Sequence, residues 1–199
     1  MSDIYQYTDP DYVYTDPKTG LLRNLAGITA REDLLIAESG FSTKRAKELL
    51  KKPIKIKDSL SLLEIHKYLF QDIYAWAGQT RKAEIAKSGK QFFPLSHFRQ
   101  AFLYIDTLLA EYRTLKKKDK KAVADKLSAI LDTVNFLHPF REGNGRSQRE
   151  FVRCLALEKG FMLNMNPPDN LDVYERYMKG TIDGDTKLLS DLILELLSE

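Results

Sequence analysis

Apolar residues recur at three- and four-residue steps through most of the chain, the spacing that lines one face of an α-helix. The clearest run is DSLSLLEIHKYLFQDIYAWAG, where Leu62, Ile65, Leu69, Ile73 and Trp76 mark such a face between a Ser or Asp cap and a stop at Gly78. Upstream, the leucines and alanines from ITARED to AKELLKK predict one or two short helices that stop before Pro53. Downstream, SHFRQAFLYIDTLLAEYRTL predicts a helix capped at Ser96, KKAVADKLSAILDTVNFL one ended by Pro139, and GRSQREFVRCLALEK one closed by Gly160. Stretches around DVYERYMKG and KLLSDLILELLSE add two more. One segment breaks the pattern: EIAKSGKQFF reads as two short strands joined at Ser88-Gly89, a hairpin. The amino-terminal end carries turn chemistry, with YTDP at Tyr7–Pro10 and again at Tyr14–Pro17, and predicts an extended arm packed on the body by its tyrosines. The expected fold class is mainly α, a helical bundle with a short β-hairpin. It forms a single domain over 1–199, with a turn-rich arm and short helices over 1–52 and a helical core over 53–199.

Composition narrows the function without naming it. With 199 residues, 43% of them hydrophobic, the chain can bury one sizeable core. Its 31 basic and 28 acidic residues leave a net charge of +3, too small to predict a nucleic-acid or membrane partner. The basic run RTLKKKDKK, Arg113–Lys121, has no interleaved aromatic and reads as a solvated connection between helices. The one cysteine, Cys154, excludes an intramolecular disulfide, and its helical neighbours FVRCLAL make it a buried, inert thiol. No apolar run approaches the roughly 18 residues of a membrane span, and MSDIYQYTDP lacks the regions of a signal peptide. The expected location is a bacterial cytoplasm, or that of a cell into which the protein is delivered.

The chemistry concentrates in HPFREGNGRSQRE, His138 to Glu150. Pro139 stops one helix, and Gly143 and Gly145 allow a tight turn that aims backbone N–H groups into one hollow. The next helix starts at once and adds unpaired donors and the positive end of its dipole. Arg146 and Arg149, three residues apart, share a face beside that opening, and guanidinium forks match phosphate oxygens. Two or three phosphates in a row would use all of this. Glu142 is a hard oxygen ligand at the lip of the turn and suits the Mg²⁺ that accompanies a polyphosphate. His138 has the pKa range of a general base for an incoming hydroxyl. Singly, a Gly-Asn-Gly loop, two surface arginines and a capping histidine each have bland readings; their density favours a phosphate-transfer site. No Gly-Lys-Ser/Thr follows the glycines, so this is no Walker A loop, and one His with one Glu is no zinc site. His66 reads as a core or boundary residue and His97 as surface.

The same residues resemble the signature of the Fic (cell filamentation) family, His-x-Phe-x-(Asp/Glu)-Gly-Asn-Gly-Arg-x-x-Arg, over 138–149. The likeness extends to IHKYLFQDIYAWAGQTR, to EIAKSGKQFFP and to DPKTGLLRNLAGI. The resemblance implies a Fic-type helical bundle that moves AMP from ATP to a Tyr, Ser or Thr hydroxyl of a target protein. It makes His138 the base and Glu142 the Mg²⁺ ligand, lines the anion hollow with Gly143, Asn144 and Gly145, and sets Arg146 and Arg149 on the β- and γ-phosphates. Phe140 anchors the loop in the core. The hairpin residues Lys87, Ser88, Gly89, Lys90, Gln91, Phe92 and Phe93 become a flap that registers an extended target segment by strand addition. Many members carry Asp where this chain has Glu142, and the branch that phosphorylates carries Lys where it has Gly145.

Self-inhibited members carry Ser/Thr-x-x-x-Glu-Gly/Asn. Here the only Glu followed by Gly or Asn is Glu142, preceded at the key position by His138. The resemblance therefore implies a toxin held by a separate small antitoxin, whose glutamate would pair with Arg149. Bacterial type II topoisomerases are candidate targets by the same analogy. Two other readings use the site differently: another phosphate-containing donor, or a nucleotide-binding module whose catalysis has lapsed. Tyr174, Tyr177 and Asp185 are candidates for an adenine pocket, with core packing as the alternative for the tyrosines.

Overall fold

The computed structural model of the chain describes residues 5–7, 12–87, 90–165 and 171–199. It is mainly helical. In chain order the elements are β1 (Tyr5–Tyr7), α1 (Arg31–Lys51), α2 (Ser61–Phe70), β2 (Ile85–Lys87), β3 (Lys90–Gln91), α3 (Phe98–Thr114), α4 (Lys120–Leu137), α5 (Asn144–Glu158), α6 (Leu171–Asp183) and α7 (Thr186–Leu196). Helix α4 is the central rod. It packs against α3, α5 and α7, while α5 also meets α2, and α2 meets α1. Its apolar face explains this: Val123, Leu127, Ile130, Leu131 and Val134 are all buried. Asp119 caps its first turn by accepting from the Ala122 N–H at 3.1 Å. Asp185 does the same for α7 through the Leu188 N–H, at 2.9 Å.

Three sequence expectations are corrected. The one or two short amino-terminal helices expected are a single long helix of 21 residues, α1. The long helix expected to reach Gly78 stops at Phe70. Beyond it the Ile73 carbonyl accepts from Leu25 N–H of the arm at 2.9 Å, so it is taken by a distant residue and not by a helix continuing at 77. Ile73 and Trp76 are nonetheless core residues, buried in turns instead of on a helix. Ser96 does not cap α3; a 3₁₀ turn over Leu95–His97 precedes it, and the Ser96 hydroxyl meets His97 Nδ1 at 2.9 Å on the exposed surface.

The arm packs as expected at its second YTDP. Tyr14 is buried, its hydroxyl accepts from Lys82 N–H at 2.8 Å, and its ring meets Trp76 edge-on at 5.5 Å. Its earlier part adds a strand that the sequence reading did not predict: β1 pairs antiparallel with β2, Gln6 opposite Ala86. Strand β3 pairs antiparallel on the other side of β2, Lys87 opposite Lys90. The predicted turn at Ser88-Gly89 lies outside the described residues. No helix among the described residues is long and apolar enough to cross a membrane. Cys154 is buried, and burial pushes its thiol up to about 12.

Candidate active site

The end of α4, the loop 138–143 and the first turn of α5 form one construction. His138 closes α4 in the left-handed region, φ 45° and ψ 60°, where side chains other than glycine rarely sit. Its N–H still bonds to the Val134 carbonyl at 3.1 Å. Its Nδ1 lies 3.1 Å from the Asn135 carbonyl, which can only accept, so Nδ1 carries the proton and Nε2 is the basic nitrogen. Phe92 stacks on the imidazole at 3.8 Å, fixing the ring plane. The imidazole is therefore set by tautomer and by orientation.

Gly143 begins α5 at φ 81°. A Cβ there would stand 2.3 Å from the Phe70 ring, so glycine is required by both backbone and space. Replacing Gly143 with Ala should cost about 2–4 kcal/mol, from left-handed strain plus overpacking. Denaturant unfolding would measure it. A loss under about 1 kcal/mol would mean that the loop readily moves away from Phe70.

Asn144, expected to line the anion hollow, turns its side chain inward instead. Its Oδ1 accepts from Phe140 N–H at 2.9 Å and its Nδ2 donates to the Phe140 carbonyl at 2.8 Å, both buried. That pair closes the loop, and only the backbone of Asn144 remains for an anion. The N–H groups of Asn144, Gly145 and Arg146 open the helix and have no carbonyl one turn back. Phe140 is buried as expected.

Arg146 and Arg149 both lie beside this helix start, each over a ring. Arg146 lies over Phe70 at 4.6 Å, and Arg149 over Tyr177 at 4.9 Å. A Cβ at Gly145 would come within 3.2 Å of Arg149 Nη1, so any side chain there pushes on that arginine. Of the candidate adenine-pocket residues, Asp185 is the α7 cap, Tyr177 is buried with its hydroxyl accepting from Gln148 Nε2, and Tyr174 is exposed.

Glu142 keeps 37% of its side-chain surface open, yet it sits in a recess where lost hydration, then the neighbouring Glu38, raises its carboxyl above the usual range. A cation at that carboxylate would reverse the shift. Among the described residues no cluster of three or more His, Cys, Asp or Glu is set to hold a metal. A single carboxylate beside an anion cradle fits Mg²⁺, which keeps its waters and takes substrate phosphates, and does not fit an all-protein cage.

Two residues outside the signature stretch hold this loop: His66, read from sequence as a core or boundary residue, and Arg81, which drew no reading. His66 is fully buried; Gly78 N–H donates to its Nδ1 at 2.8 Å, so its Nε2 carries the proton and donates to the Glu142 carbonyl at 3.0 Å. It also stacks on Phe140 at 3.8 Å. Burial lowers its pKa from 6.5 to about 3. Because the folded value lies below the unfolded one, its neutral form stabilises the fold above pH 6.5, and that contribution is lost as pH falls from 6.5 toward 3. Each pH unit in that window should cost about 1.4 kcal/mol through this residue. His66→Gln should lose that slope when unfolding free energies at several pH values are compared with the parent; an equal slope would contradict the assignment.

Arg81 is the other. Its backbone N–H reaches the Pro139 carbonyl at 2.7 Å. Its guanidinium donates to the carbonyls of His138 at 3.0 Å and Ala83 at 2.8 Å, to Glu84 Oε2 at 3.1 Å, and to the carbonyl of Phe93. One buried cation thus ties the stretch containing β2 and β3 to the active-site loop.

The helical bundle thus gathers a fixed imidazole, one recessed carboxylate and two arginines around a helix start. The chain belongs to the Fic/DOC family, whose model matches residues 58–156. It is 35% identical over 198 residues to the protein adenylyltransferase VbhT of Bartonella schoenbuchensis, covering 98% of this chain and 41% of that protein. The probable protein adenylyltransferase y4lH of Sinorhizobium fredii is 34% identical over 170 residues, covering 83% of this chain and 88% of that one. The chain thus spans about two fifths of the first relative and most of the second. In three dimensions it resembles the crystal structure of BepC, a VirB-translocated effector of Bartonella tribocorum with bound AMPPNP. The TM-score is 0.81 at 22% identity, over 94% of this chain and 97% of that one, a likeness of fold.

Proposed function

We propose that this chain is a protein adenylyltransferase that moves AMP from ATP to a Tyr, Ser or Thr hydroxyl of a target protein and releases pyrophosphate. The observation that carries this is the His138 tautomer: Nδ1–H is spent on the Asn135 carbonyl, which leaves Nε2 to accept the hydroxyl proton. As the proton leaves, the hydroxyl oxygen attacks the α-phosphorus, and the bond to the bridging oxygen of pyrophosphate breaks. Backbone N–H groups of Asn144, Gly145 and Arg146 would face the phosphates, while the Gly143 N–H donates to Glu142 Oε1 at 2.8 Å and orients that carboxylate. Arg146 and Arg149 hold the outer ones and so aim the α-phosphate at the base. Glu142 would hold Mg²⁺, which neutralises phosphate charge when bound. Relatives named as adenylyltransferases support the activity.

The segment Lys87–Phe93 serves as the flap that registers the target. Support comes from Phe92, which stacks directly on the base, so a strand beside β3 passes close to His138. The reading also includes a separate small antitoxin carrying Ser/Thr-x-x-x-Glu-Gly/Asn, a bacterial type II topoisomerase as target, and a cytoplasmic site of action. Mass spectrometry of a protein modified in lysate supplied with ATP and Mg²⁺ should find one adenylyl group on a hydroxyl side chain. A different nucleotide or a choline-containing group would assign the site to another donor.

A further inference from the structure

We infer that Glu38 of α1 is a positioning residue that keeps Arg146 off the carboxylate of Glu142, an inference that rests on the site reading above. Glu38 is buried in the middle of α1, far from the loop in sequence. Its two oxygens have separate partners: Oε1 pairs with Arg146 Nη2, and Oε2 accepts from the Tyr74 hydroxyl. One turn further along α1, Ser42 Oγ accepts from Arg146 Nη1 at 3.0 Å. With the Phe70 ring beneath it, the guanidinium is held by α1 on one side and by α2 below. Tyr74 in turn fixes Glu38, so the carboxylate that holds the arginine is itself oriented.

The same Nη2 lies only 3.7 Å from Glu142 Oε1. Glu142 and Arg146 are four residues apart at a helix start, the spacing at which a carboxylate and a guanidinium pair by default. Without Glu38, the nearest carboxylate for Arg146 is the one read as the cation ligand. An arginine closed onto it would compete with the divalent ion for that carboxylate. Glu38 therefore keeps Arg146 and Glu142, one turn apart, at a long 3.7 Å ion pair that does not close to hydrogen-bond distance. Sequence spacing alone gives no hint of this, because the deciding residue comes from another helix.

The test is equilibrium binding of ribose-labelled fluorescent ATP to the full chain, with and without Mg²⁺, in the parent, Glu38→Gln, Glu38→Asp and Glu142→Gln. In Glu38→Gln, the Mg²⁺ concentration for half-maximal enhancement of binding should rise about tenfold or more, as for loss of a group that orients a metal ligand. Metal-free affinity should change by no more than about twofold, the scatter expected of an uncoupled site. Glu38→Asp, which keeps the charge, should recover most of the Mg²⁺ response. A merely structural Glu38 would shift both affinities together, and a uniform change in either direction overturns the inference. Should Glu38→Gln fail to fold, Tyr74→Phe loosens Glu38 while keeping its charge and should move the Mg²⁺ half-point in the same direction; an unmoved half-point is contrary. If Glu142→Gln abolishes the Mg²⁺ response while Glu38→Gln leaves it intact, only the role of Glu38 falls. If the parent binds ATP with no Mg²⁺ response, the site reading falls and takes this inference with it.

Discussion

A His138→Ala variant is expected to lose about 10²–10⁴-fold in the rate of AMP transfer while remaining folded. The imidazole is almost enclosed, with its tautomer fixed by the Asn135 carbonyl and its plane fixed by Phe92. Removing it deletes the proton acceptor and leaves the arginines and the helix start unchanged, so ATP affinity should hold. Backbone strain is the confounding term, because residue 138 sits at φ 45° and alanine tolerates that region poorly. His138→Asn separates the two effects: asparagine accepts the left-handed conformation more readily but supplies no base. Both variants should be equally inactive, and the Asn variant should be the more stable. Residual transfer within about tenfold of the parent in either one would assign the proton to another group.

Arg81→Met should produce the largest loss of stability, about 3–5 kcal/mol, from roughly 1–3 kcal/mol for each buried carbonyl that loses its donor. The Arg81 side chain has no exposed surface. Its removal takes the guanidinium donor away from the carbonyls of His138, Ala83 and Phe93. Arg81→Lys should recover little, since one ammonium cannot reproduce a planar fork that reaches three separate backbone carbonyls. Chemical denaturation measures both. A loss under about 1 kcal/mol for Arg81→Met would mean that the loop and the β2–β3 stretch are held by packing alone.

What could be read from sequence followed from locality. Helix α4 was legible to the residue, because an uninterrupted apolar face lies between a capping Asp119 and Pro139. Helix α2 was overrun because its end depends on the arm taking the Ile73 carbonyl, a contact from residue 25. Strand β1 went unseen for a related reason: three residues carry little periodic signal, and its pairing reaches across to residues 85–87. The site divides the same way. His138, Glu142, Gly143, Gly145, Arg146 and Arg149 stand in one short stretch whose chemistry is dense enough to read. Glu38, His66 and Arg81 act on that stretch from 108, 76 and 57 residues away, and each looks locally like an ordinary helix or turn residue. Asn144 adds a contact that sequence does not reveal: between two glycines it reads as a lining residue, and its side chain clasps the loop through Phe140.

The orientation of ATP in this site can be read directly by incubating the protein, Mg²⁺ and lysate with ATP labelled at either the α- or the γ-phosphate. Adenylyl transfer predicts that label from the α position stays on a target protein and that label from the γ position leaves with pyrophosphate. Label from the γ position on the target, or none from the α position, would contradict the account.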